Sequence, residues 1–184
     1  MTYSLSRAAL VAMVWSVMYF ANEYVFEAAQ YTRVANLIFL PAMIRPLAIL
    51  VYGNAGFVGL FLGAMITFPL QPLTLSSLLL VSFASSAPAW LAIRWISSLL
   101  SYASQFNCAL LGLRLKTILL IAVLTAALSA STHYLVFWAA PQIEHSLPQA
   151  LSMFLGDVIG SFLMLYLLSI FVRYMKQRHI NIRT

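Results

Sequence analysis

Two ionisable residues stand where the rest of this chain is apolar. At about 1.5 Å per residue, Arg45, about nine residues into the stretch Leu37–Tyr52, and Asp157, about ten into Leu147–Val172, both lie roughly 15 Å from the same side. Equal depth and opposite sign predict an ion pair inside the hydrocarbon, since either charge alone would be costly there. Such a pair has two readings. It can border a ligand pocket or a ligand-sensitive switch, or it can simply fix helix register. Pro41 and Pro46 flank Arg45 and deprive nearby carbonyls of helical partners. Proline-interrupted helices in membrane proteins often line cavities, which favours the first reading.

Three weaker constellations accompany the pair. His133, beside Tyr134 in the fifth apolar stretch, is of the residue type that titrates near neutral pH, though a bundle histidine can equally serve as a hydrogen-bonding strut. Tyr19, Glu23, Tyr24, Glu27, Tyr31 and Arg33 gather aromatic and ionisable groups around one loop, which could cap a pocket or form a wet aromatic belt. Small residues four apart, Ala8 with Ala12, Gly59 with Gly63 and Gly156 with Gly160, mark helix-packing faces, because small side chains let backbones approach in lipid.

Catalysis finds little footing. No serine sits in a nucleophile-elbow context, no histidine spacing suggests a metal, and no glycine loop suggests phosphate binding. The single cysteine, Cys108, excludes an internal disulfide and a cysteine metal cluster. The chain is expected to be no enzyme, with no catalytic residue, cofactor or metal.

The elements that must position these residues are membrane helices. Ten Lys/Arg and four Asp/Glu in 184 residues, 63% hydrophobic residues and a mean hydropathy of +0.94 exclude a fold built for water, where about a quarter of residues are charged. Six stretches approach the span length of about 20 residues: Ala8–Asn22, Leu37–Tyr52, Asn54–Leu70, Leu73–Ile93, Thr117–Ala140 and Leu147–Val172. They do not alternate as barrel strands would, so each predicts a helix. Arg7 followed by a short apolar core has the shape of a secretory signal, but Asn22, Glu23 and Tyr24 offer no small-residue cleavage site, and an uncleaved first span is expected. Trp95, Leu99, Tyr102, Phe106 and Leu110 recur at helical spacing opposite serines, predicting an interfacial helix over 95–113. The alternative is a fourth helix that starts near Pro88 and runs through Arg94, with 73–87 re-entrant. Tyr52-Gly53-Asn54-Ala55-Gly56 predicts a tight turn.

The net charge of +6 is no nucleic-acid signature. Arg173, Lys176, Arg178 and Arg183 form a basic tail, Arg114 and Lys116 a basic loop, and Arg7 a basic start, all of which the positive-inside rule keeps cytoplasmic. Glu23, Glu27 and Glu144 fall in the opposite loops, with Arg33 the exception. Six spans with both termini cytoplasmic, in one membrane domain covering 1–184, satisfy this pattern.

Two resemblances follow. The run Leu40-Pro41-Ala42-Met43-Ile44-Arg45-Pro46-Leu47-Ala48, then Gly53, then Gly59-Leu60-Phe61-Leu62-Gly63-Ala64, resembles the early part of MASE1 integral membrane sensory domains. Gly156-Asp157-Val158-Ile159-Gly160 looks like the Gly-Asp-x-x-Gly element late in that domain. Those domains usually show Pro-x-Gly where this chain has Pro41-Ala42-Met43, carry more spans, and precede a kinase or cyclic-di-GMP output domain. The chain is also similar in architecture to the substrate-binding S components of energy-coupling-factor transporters: short helices, cytoplasmic termini and a small-residue first helix. The first resemblance implies a sensory or ligand-binding module of the bacterial inner membrane that signals through a separate protein partner. The second implies a vitamin or small-molecule carrier, and a structural membrane subunit is the third expectation. The expected associations are the lipid bilayer, a membrane or cytoplasmic protein and a small-molecule ligand, with no nucleic acid.

Overall fold

Proline and glycine decide where this chain stops being helical. The computed structural model describes residues 2–32, 35–68, 74–99, 115–139 and 146–181. Among them lie six α-helices: α1 (Thr2–Val25), α2 (Ile44–Tyr52), α3 (Asn54–Thr67), α4 (Leu75–Leu99), α5 (Leu115–Ala139) and α6 (Leu147–Asn181). Four of them, α1, α4, α5 and α6, are long and apolar enough to cross a membrane. The all-α class and the membrane character expected from composition are therefore present.

The second apolar stretch is not one helix. Leu37–Phe39 is non-helical, Leu40–Met43 forms a 3-10 turn, and α2 begins only at Ile44. Pro41 sets the turn, and Pro46 falls in the first helical turn, where its missing N–H costs nothing. At nine and 14 residues, α2 and α3 come to about 14 and 21 Å, short of a bilayer's roughly 30 Å. They are joined through Gly53 alone, at φ +56, a left-handed conformation that glycine adopts without steric cost. The expected tight turn is there.

Between α1 and α2, where the sequence predicts a loop, lies a two-stranded antiparallel ribbon, β1 (Gln30–Thr32) and β2 (Ala35–Asn36). Behind it the backbone runs unwound into the bundle. Several of its backbone groups are matched by protein. Leu37 N–H donates to Ala29 O (2.9 Å) and Phe39 N–H to Gly156 O (3.1 Å). Buried Asn22 reads the same segment like a neighbouring strand: its amide donates to Ile38 O (3.2 Å) and its carbonyl accepts from Leu40 N–H (2.9 Å). Unwound backbone survives at depth only where protein satisfies it in this way.

The glycine pairs sort by what they receive. Gly59 and Gly63 meet Ala8, Val11 and Trp15 of α1, and Ala8 and Ala12 are buried in turn. These are helix–helix contacts, as expected. Gly156 and Gly160 instead receive the unwound segment: a Cβ on either would collide with Asn36 O or Phe39 O. The small-residue face of α6 is a bed for extended backbone, not for a helix. Periodicity cannot distinguish the two, because both need the same close approach.

In α4 the helix continues unbroken through Pro88 and Arg94, with no re-entrant portion and no break before Trp95. Pro88 lacks the N–H that would bond Ala84 O, and Thr132 of α5 reaches that carbonyl at 3.4 Å. Exposed Arg94 lies over Trp90, 4.6 Å from the ring centroid. The rest of the expected interfacial helix, 100–113, falls outside the described residues. The basic tail is helical as far as Asn181.

Substituting Gly156→Ala should lower unfolding stability in detergent by about 1–3 kcal/mol, the usual cost of overpacking, whereas Ala9→Leu on the exposed face of α1 should be near neutral. Unchanged stability of the Gly156 variant would mean that the unwound segment does not rest on α6.

Candidate functional site

Arg45 is the second residue of α2, so the break that ends the unwound segment also sets its depth. It is 4% exposed, and its Nη1 lies 2.6 Å from Asp157 Oδ2 and donates to Ser129 Oγ at 2.9 Å. The pair expected from equal depth is formed. Trp15 and Phe39 stand against it, each with its ring centroid 5.3 Å from the guanidinium carbon. Cation–π attraction of this kind contributes roughly 0.5–2 kcal/mol per ring when desolvated. The two rings meet edge to face at 6.0 Å, and the Trp15 indole N–H donates to Thr67 Oγ1 at 3.4 Å. Arg45 is thus held by α1, α5, α6 and the unwound segment at once.

His133 joins this cluster from α5. Its Nδ1 donates to Ser129 O, one turn earlier, at 2.8 Å, and its Nε2 lies 3.1 Å from Ser85 Oγ of α4. Ser129 therefore touches both the cation and, through its backbone, the imidazole. A polar chain from Asp157 through Arg45 and Ser129 to His133 and Ser85 crosses four helices. The Arg45 Nε has no hydrogen-bond partner among the described residues.

The cluster forms the floor of a cavity of about 40 Å³. Trp15 and Tyr19 line it from α1, Asn36 and Phe39 from the unwound segment, Phe68 from the end of α3, and Ser85, His133, Met153 and Asp157 from the last three helices. Tyr19, Asn36 and Phe68 all belong to the ribbon end of the bundle, so the cavity leads from that end toward the ion pair. The room suffices for about three water-sized groups, far below the roughly 300–1,000 Å³ of a drug-sized pocket.

Glu23 closes that end. Its Oε1 accepts from the Asn36 amide and its Oε2 from the Gln30 amide, both at 2.6 Å, so one carboxylate ties α1 to both strands of the ribbon. Of the other loop residues, Glu27 and Tyr31 are exposed away from the cavity, Tyr24 is 87% exposed, and Arg33 lies outside the described residues. Among the described residues of this expected loop, Tyr19 lines the cavity and Glu23 ties the ribbon beside it.

Sequence reasoning missed Trp15, Asn22, Asn36, Phe39, Ser85 and Ser129. Ser129 had one legible sign, lying a turn before His133 on the face that carries Ala122 and Ala126. Phe39 and Asn36 had none, since their positions depend on backbone that is not helical. No group of three metal-ligating side chains occurs among the described residues. Ser85 Oγ and His133 Nε2 are of the types that form a nucleophile–base pair, and the buried ion pair beside them gives the cluster a geometry that also suits binding and charge-sensitive positioning.

Glu23→Ala should release the ribbon. Hydrogen–deuterium exchange at residues 30–37 is expected to quicken by about fivefold or more, the equivalent of one lost charged hydrogen bond, while exchange in the middle of α5 stays unchanged. Equal exchange in both proteins would show that Glu23 does not hold the ribbon.

Compared with known proteins, the chain matches no protein-family model, no curated protein and no solved structure.

Proposed function

We propose that this chain is a multi-pass module of the bacterial inner membrane that binds a small ligand and reports its presence to a separate protein, in the manner of MASE1-type sensory domains and without catalysis of its own. In this reading all six helices lie in the membrane, α2 and α3 as a short broken hairpin, with both termini cytoplasmic and the ribbon outside. The observation that carries the proposal is the buried Arg45–Asp157 pair at the floor of a cavity leading from the ribbon end. An ion pair that only fixed register would need no cavity beside it.

The route from site to partner is α6. It supplies Asp157 to the pair and continues as one helix to Asn181, about 36 Å further along. A change in how Asp157 is held therefore moves or relaxes a rod that ends in the basic tail. Lys116 and Arg173 add positive charge near the same end, which suits a cytoplasmic face.

Mild-detergent copurification of the tagged chain from native membranes, read by mass spectrometry, tests this. A kinase, cyclase or comparable regulatory protein is expected, and Asp157→Asn should change its recovery by about fivefold or more, the lower range of a coupling energy, where Glu144→Gln leaves it unchanged. Recovery of a transporter ATPase pair would replace the sensory reading with that of a transporter S component. Equal recovery with both variants would remove Asp157 from the signalling route.

A further inference from the structure

We infer that the cavity beside Arg45 is built for a small uncharged molecule that both accepts and donates hydrogen bonds, of the class of a short carboxamide, and that it turns ions away. This rests on the binding-module reading and names the ligand class of its site. Three observations converge on it.

The first is charge. The positive Arg45 and negative Asp157 cancel at 2.6 Å. The other titratable groups on the cavity wall are Tyr19 from α1 and His133 from α5, while α3 and α4 contribute Phe68 and Ser85. A bound anion or cation would leave a net charge in the middle of the apolar bundle, with no counter-charge on the wall to meet it, and such charges are strongly disfavoured there. A neutral guest leaves the balance intact.

The second is the hydrogen-bond inventory. Both described hydrogen bonds of the guanidinium leave through Nη1, and the Nε–H is buried without a partner. A buried donor in this condition calls for an acceptor. Asp157 and Asn36 on the cavity wall carry oxygens that accept N–H donors. A carboxamide presents both functions on one flat group.

The third is size and wall. About 40 Å³ holds about three water-sized groups, the bulk of a formamide or acetamide. Trp15, Phe39 and Phe68 supply aromatic surface for its planar face or methyl group.

The test is thermal unfolding of the full chain in mild detergent with acetamide, acetate and ethylammonium, three probes of similar shape and different charge, at matched millimolar concentrations. Acetamide should raise the Tm saturably, by about 3–6 °C at tenfold excess over its Kd, and the two ions should leave it at the buffer value. Phe68→Trp, which adds bulk to the wall away from the ion pair, should abolish the rise. Arg45→Lys, which keeps the charge and removes the Nε donor, should abolish it as well. A rise with acetate or ethylammonium instead would overturn the inference while leaving a binding site. A rise with none of the three, or one that persists in the Phe68 variant, would overturn it too. The copurification experiment judges the binding-module reading separately in every case.

Discussion

A guanidinium in the middle of an apolar bundle must find a counter-charge, and most of what is unusual in this chain follows from supplying one. Arg45 is almost wholly enclosed, because it sits at the start of a short helix at the level of the middle of α5 and the first third of α6. Asp157 meets it from α6, Ser129 from α5, and two aromatic rings pack against the cation. A buried pair of this kind adds little net stability over well-packed apolar residues, but breaking one half costs about 3–5 kcal/mol. It therefore specifies arrangement more than it adds strength. Only one register of α2 against α5 and α6 lets both charges meet.

That register requires the backbone before α2 to give up its helix. Pro41 and Pro46 prevent a continuous span, and the residues ahead of them enter the bundle unwound. Three devices make this tolerable: the Asn22 amide bonding the segment along one edge, the Gly156 carbonyl accepting from Phe39, and the Gly156–Gly160 bed that lets the backbone lie against α6. The same unwound segment carries Asn36 and Phe39 to the cavity wall. Site and fold irregularity are one feature, as the cavity exists because a helix was interrupted there.

The pair itself was legible in the sequence, since a helix rises by a fixed amount per residue and the two charges are nearly equidistant from the same side. Arg45 reaches that depth through unwound chain rather than nine residues of helix. What stayed hidden depended on backbone outside the helical period. The strands at 30–32 and 35–36 have no alternating apolar pattern, Asn22 reads as an ordinary polar end to the first span, and Gly156 and Gly160 look the same whether a helix or a strand lies on them. Pro88 argued for a boundary in α4, but the carbonyl it frees is reached by Thr132 from a helix 48 positions distant in sequence, a compensation that local reading cannot see. Glu23 was singled out for its charge, while its role of tying two strands to α1 needed the ribbon to be known.

A double-mutant cycle on detergent-solubilised protein tests the central claim most directly, measuring unfolding stability for Arg45→Met, Asp157→Leu and the two together. If the pair organises the bundle, each single variant leaves an uncompensated buried charge and loses about 3–5 kcal/mol, and the double variant is more stable than either. Losses that simply add would mean that the two charges are held independently, and the account built on their pairing would fail.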